Sequence, residues 1–210
     1  MTYSKTEEMK DNNFLTKGLT FLLAIACGIS VANIYYNQPL SSEIAKTFNT
    51  TSQAAGLIST FTQLGYASGI FLFVPLGDIR EKRKLILTLI LLVSVSLIGV
   101  ATAQNLIWIY ISSFAVGLTA VVPQIMTPLA AQLARPEERG KVVGTVVSGL
   151  LFGILLARTV SGYIGYIVGW RYMFVFAAIL MCLLDIILYF KLPITGSNEN
   201  LTYKELINQL

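Results

Sequence analysis

Arg158 lies inside an unbroken apolar stretch, Val142–Val168, where a guanidinium that never loses its proton must find an anion, carbonyls or water. An arginine at that depth of a membrane helix costs about 2.5–3.5 kcal/mol, so its presence points to a task. It faces a wet cavity and an anionic group, binds carbonyls or a carboxylate from another segment, or snorkels to an interface. Amides and a phenol interrupt other apolar stretches: Asn33, Tyr36 and Asn37 share one face, Gln63 stands in a second stretch, and Gln124 belongs to a stripe with Ser113, Gly117, Ala120 and Thr127. These groups hydrogen-bond, so their chemistry is recognition of a solute, or bonding between helices with no ligand. Taken as a set they favour the wall of a water-filled cavity, because polar side chains avoid lipid. Asp185 is the one acid inside an apolar stretch. It sits toward one end, where it either pairs with a surface cation or reaches shallow water.

Catalysis finds little support. The chain has no histidine and two cysteines, Cys27 and Cys182, both inside apolar runs and expected as packed thiols. Gly65-Tyr66-Ala67-Ser68-Gly69 offers a serine of the kind used by rhomboid-type intramembrane proteases. Tyr66 stands where that family wants glycine, however, and the histidine base is missing. No zinc ligand set is available either, and no metal or cofactor is expected.

The elements that must position Arg158 and the amides are membrane spans. Of 210 residues 55% are hydrophobic and 12% charged, about half the charge of an ordinary soluble domain. A bilayer core takes about 20 apolar residues of helix, and six stretches meet that length: Phe14–Tyr36, Ala54–Leu76, Leu85–Ala103, Leu106–Ala131, Val142–Val168 and Met173–Leu192. The expected fold class is therefore an all-α membrane protein of six transmembrane helices. Small residues at four-residue spacing in the fifth stretch (Gly140, Gly144 and Ser148; Gly149, Gly153, Ala157 and Ser161) predict close helix packing. The first stretch is too long for a signal-peptide core and is expected to stay as an anchor.

Cations set the expected orientation. Lys5, Lys10, Lys17, Arg80, Lys82, Arg83, Lys84, Arg135, Arg139, Lys141, Lys191 and Lys204 flank one side of the spans, whereas only Lys46 and Arg171 flank the other. Twelve against two predicts both termini in the cytoplasm. Tyr35, Tyr36, Trp108, Tyr110, Tyr163, Tyr166 and Trp170 are then expected as an aromatic belt at the outer ends. The organisation reads as a tail over 1–13, a six-helix bundle over 14–192 and the start of a further loop over 193–210. In that loop Tyr203, Leu206, Ile207 and Leu210 recur at the spacing of a helix lying on the inner membrane surface. The cations are the ordinary cytoplasmic bias and give no support for nucleic-acid binding.

Between the second and third spans, Pro75-Leu76-Gly77-Asp78 followed by Arg80, Lys82, Arg83 and Lys84 resembles the signature loop of the major facilitator superfamily. Val74, Ile79 and Glu81 depart from its first glycine, first cation and second glycine, while Asp78 and Lys82-Arg83 stay in register. Ala32-Asn33-Ile34-Tyr35-Tyr36-Asn37-Gln38-Pro39-Leu40 is similar to the end of helix one in efflux-type members. Gly144, Gly153 and Gly162 fall where the antiporter motif of helix five places glycines, and Gly169-Trp170-Arg171 is also typical. Ala157-Arg158 stands in place of that motif's Gly-Pro, and Ser113 in place of the helix-four arginine of drug–proton antiporters.

The resemblance implies half of a major facilitator fold, two inverted three-helix repeats, moving a small solute by alternating access, with efflux the expected direction. It implies a gating role for Asp78, Arg80 and Arg83, which would grip the opposite half. It also implies a partner, a C-terminal six-helix half or a second copy, in the plasma membrane, the inner one in bacteria. Protons are the family's default coupling ion, yet no carboxylate stands at mid-membrane in this sequence. The competing expectation is a truncated, non-transporting or structural membrane subunit.

Overall fold

The computed structural model describes residues 15–194, apart from the side chain of Asp78. The tails, with the expected surface helix at Tyr203–Leu210, lie outside the described residues. Within them the chain is helical: α1 (Lys17–Ala32), α2 (Asn37–Thr47), α3 (Ser52–Ile79), α4 (Lys82–Ala101), α5 (Leu106–Thr119), α6 (Val122–Leu133), a 3₁₀ turn (Pro136–Glu138), α7 (Arg139–Val168) and α8 (Trp170–Lys191). These form six helical spans long and apolar enough to cross a membrane, the first and fourth each made of two segments. Polar residues open the helices: Thr16, Thr51 and Asn105 each accept the backbone N–H three residues on with their side-chain oxygen. Gly169, at φ +98°, turns α7 into α8 through a conformation that a Cβ would oppose.

The two breaks have a common cause. A proline inside a helix lacks the N–H and crowds the carbonyl four residues back. Pro39 places that conflict at Tyr35 and Pro123 at Thr119, and the helix yields at 33–36 and at 120–121. Pro75 and Pro128, by contrast, are carried inside α3 and α6.

The spans pack in a pattern that a two-fold exchange reproduces. The most extensive contacts join α1 with α7, α3 with α5, and α4 with α8. Exchanging the first three spans with the last three maps the first pair onto the second and the third onto itself, the relation expected of inverted repeats. Glycines close both equivalent seams. A Cβ on Gly149 or Gly153 would land on the carbonyl oxygens of Ala24 and Gly28, and one on Gly65, Gly69 or Gly117 on those of Phe114, Leu118 and Thr62. Gly140 and Gly144, by contrast, meet nothing, so the expected small-residue ridge of α7 is used from Gly149 onward through Ala157 and Ser161.

Burial is uneven. In the most apolar stretches of α3 and α7 only 22% and 17% of residues are buried, against 61% for the first span. The core runs instead through α1, α4, α5, α6 and α8, with Leu23, Ile86, Leu89, Ile90, Met126 and Met173 fully enclosed. Cys27 is packed there as expected, but Cys182 is exposed on α8.

Candidate functional site

Four spans bring polar side chains together on one face of the bundle. The break after α1 leaves Tyr35 half-buried, and the Arg158 guanidinium of α7 lies over its ring, 5.7 Å from the centroid. The helix before that break packs against α6, where Cys27 meets Met126. Just past the second break, Gln124 donates from Nε2 to the hydroxyl of Tyr66 on α3 at 2.8 Å. Gln63, one turn from Tyr66 on the same helix, is exposed, as are Gln124 and Arg158. The wall therefore holds a fixed cation, two phenols and two amides, drawn from the spans that contain both breaks and from the two least buried helices.

Arg158 is about ten residues from the end of α7, a depth of roughly 15 Å at 1.5 Å per residue. Tyr35 and Tyr36 are therefore not at the ends of their span, where an aromatic belt was expected. The chain continues through α2, and Tyr36 is a core residue at 4% exposure.

Three residues expected in the cavity wall turn inward instead. Asn33 is 2% exposed, and its amide donates to the carbonyls of Ile29 and Ser30 and to the Met181 sulfur, securing the end of α1. Asn37, at 4% exposure, ties α2 to α3: its amide donates to Thr62 at 2.8 Å, and its oxygen accepts from Ser59 at 3.1 Å. Tyr36 packs beside an apolar groove of about 590 Å³ bounded by Phe21, Phe152, Leu156, Phe176 and Leu180. Asn33 and Asn37 thus hold the bundle together through hydrogen bonds, and Tyr36 packs at the edge of that groove. Ser113 and Gly117, of the same stripe as Gln124, are also closed in, against α3. Tyr35 and Tyr66 were missed as site residues. The signal that would have found Tyr35 is Pro39, four residues on.

At the end of the bundle bearing the α3–α4 turn, Arg83 donates to the Tyr189 carbonyl and lies over the Tyr189 ring, 5.3 Å from its centroid. Lys82 donates to the Gln132 side chain of α6 at 2.7 Å. Arg83 thus caps a carbonyl in the last turn of α8, as suits a cation at a helix C-terminus, while Lys82 ties α4 to α6 through a side-chain amide. Arg80 is exposed, and the Asp78 side chain lies outside the described residues.

Residues 20–208 match the sequence profile described as Major Facilitator Superfamily. The chain belongs to that superfamily. Membership and the six apolar spans make it a multi-pass membrane protein of a transporter superfamily. A protein of Escherichia coli (strain K12) named as transporter YgaY is 45% identical over 201 residues, 96% of this chain and 51% of the relative. The protein named as transporter SCO4007 of Streptomyces coelicolor is 34% identical over 173 residues, 82% of this chain and 40% of its own length. The chain thus spans about half the length of the curated relatives it matches. A crystal structure of the peptide transporter POT in complex with alafosfalin superposes with a TM-score of 0.75 over 92% of this chain and 43% of that one. At 20% identity this shows a shared fold.

Proposed function

We propose that this chain forms one six-helix half of a secondary transporter that exports a small solute by alternating access across the plasma membrane, the inner one in bacteria. Arg158, Gln63 and Gln124, with Tyr35 and Tyr66 behind them, form its wall of the solute cavity. The observation that carries this reading is that the two least buried helices, α3 and α7, expose Gln63 and Arg158 among their alkyl chains, whereas the exposed faces of α4 and α8 are largely apolar. Broken helices at corresponding places in two inverted repeats mark solute sites in transporters generally, and both breaks border this wall.

The opposing wall would come from a C-terminal six-helix half or a second copy of the chain, since one bundle cannot rock against nothing. Both termini would be cytoplasmic, following the excess of cations at that end. Asp78, Arg80 and Arg83 would form the gate on the same side, Arg83 already being anchored to its own bundle through Tyr189.

Thiol accessibility tests the wall. In a Cys182→Ser background, Gln63→Cys and Gln124→Cys in sealed membrane vesicles should react with a charged, membrane-impermeant thiol reagent. Phe152→Cys and Leu155→Cys should resist it. Equal resistance at all four positions would remove the wet wall and the cavity with it.

A further inference from the structure

We infer that the solute taken at this wall is a small organic anion and that Arg158 binds its carboxylate or other oxyanion; this rests on the cavity reading above. The guanidinium is exposed on the polar face and its flat side is occupied by the Tyr35 ring. A cation held over an aromatic face keeps its N–H edge free, and that edge is a fork matched to two oxygens.

The bundle supplies no such oxygens at that level. The described acids are Glu43, Glu81, Glu137, Glu138 and Asp185. Glu43 is on α2 beside Gly165, beyond the Arg158 level. Glu81, Glu137 and Glu138 are in turns at the basic end, and Asp78 is in the last turn of α3 at that same end. Asp185 is on α8, which packs chiefly against α4 and takes no part in the wall. Ser161, a turn away, donates back to the Arg158 carbonyl and offers the guanidinium nothing.

Position separates solute from lipid as the source of the oxyanion. At roughly 15 Å from the end of α7, Arg158 is deeper than phosphate headgroups lie. Elsewhere on the wall, the Gln63 and Gln124 amides and the Tyr66 hydroxyl are further donors for polar groups of the same solute. The apolar groove bounded by Phe152 and Phe176 opens elsewhere on α7 and does not include Arg158, so the anion's site and the groove are separate.

Three probes of one shape and different charge decide the matter: benzoate, benzyl alcohol and benzylamine, titrated into the purified full chain in detergent at constant ionic strength. Binding is read by calorimetry and by the shift in melting temperature. Benzoate is expected to bind saturably and at least about tenfold more tightly than benzyl alcohol, the discrimination one charge-assisted fork supplies. Arg158→Gln should abolish that preference without lowering the ligand-free melting temperature, and Arg158→Lys should recover part of it. Equal or tighter binding of benzyl alcohol or benzylamine would overturn the inference, as would a benzoate preference that survives in Arg158→Gln. If a neutral or cationic probe binds saturably, weakens in Gln63→Ala or Gln124→Ala and ignores Arg158, the cavity stands and the anion is wrong. If no probe binds saturably, both readings fall.

Discussion

Gly153 rests directly on the backbone of Gly28, so that a Cβ built on Gly153 would occupy the place of the Gly28 carbonyl oxygen. Neither residue has a side chain to withdraw, and the contact is backbone on backbone. Such an approach lets two helices exchange dispersion contacts along their length, which in lipid replaces the missing hydrophobic drive.

Gly153→Val should therefore push α7 off α1. Overpacking of this kind costs about 1–3 kcal/mol and more where only backbone can move. The expected outcome is a lower melting temperature and a smaller monodisperse fraction in size-exclusion chromatography. Gly140→Val, at a glycine of the same helix that meets nothing within 4 Å, should behave as the parent. Equal behaviour of the two variants would mean that the α1–α7 seam is not as close as described.

Asn37 holds α2 against α3 through its bonds to Thr62 and Ser59. Removing a buried partner strands the others and costs about 1–3 kcal/mol. Asn37→Ala should lower the melting temperature, and Asn37→Asp should lower it further, since the carboxylate would be a charge at a site 4% exposed. An Asn37→Asp variant as stable as the parent would show that water reaches this site.

Arg171 clamps three elements at the end opposite the basic turns. It donates to the Ala103 carbonyl at 2.6 Å and lies over the Trp170 and Phe48 rings at 4.3 and 5.8 Å. Only a planar guanidinium stacks and donates at once. Arg171→Lys should recover less than half of the stability lost in Arg171→Ala, measured by thermal unfolding in detergent. Full recovery by lysine would reduce the clamp to a charge effect.

The cysteines provide a test of burial. Cys182 is exposed and Cys27 is enclosed near Met126. N-ethylmaleimide should modify Cys182, which faces lipid or detergent, only slowly in the folded chain, and reach Cys27 only after SDS unfolding, as read by intact-mass spectrometry. Modification of both at similar rates in the folded protein would contradict the packing of α1 against α6.

Much of this was legible in residue types and spacing. Six spans followed from apolar length, and close packing of α7 from the spacing of Gly149 and Gly153, though not that α1 is its partner; Arg158 and Gln124 stood out as polar where lipid was expected. What periodicity hid was the path of the first span. Ala32-Asn33-Ile34-Tyr35-Tyr36 reads as the end of one apolar helix, yet the amide of Asn33 turns back to the carbonyls of Ile29 and Ser30 and the chain resumes as α2. That bend puts Asn33, Tyr36 and Asn37 in the core and Tyr35 beneath Arg158. A helical wheel drawn straight through 33–36 does not show that Tyr35 leaves the face shared by Asn33, Tyr36 and Asn37. In the stripe of Gln124, Gly117 serves the α3–α5 contact while Gln124 is exposed.

The breaks at 33–36 and 120–121 also have a mechanical meaning. An unbroken helix transmits a push along its axis like a stiff rod, because each backbone hydrogen bond resists bending in turn. Where the bonding pattern lapses, flexural stiffness falls locally and bending concentrates there. The first and fourth spans each carry such a soft joint, while α3, α4, α7 and α8 run through as single helices. Strain imposed at either end of the bundle is thus delivered to two points bordering the Arg158 wall, and the other four spans act as the frame against which those joints flex.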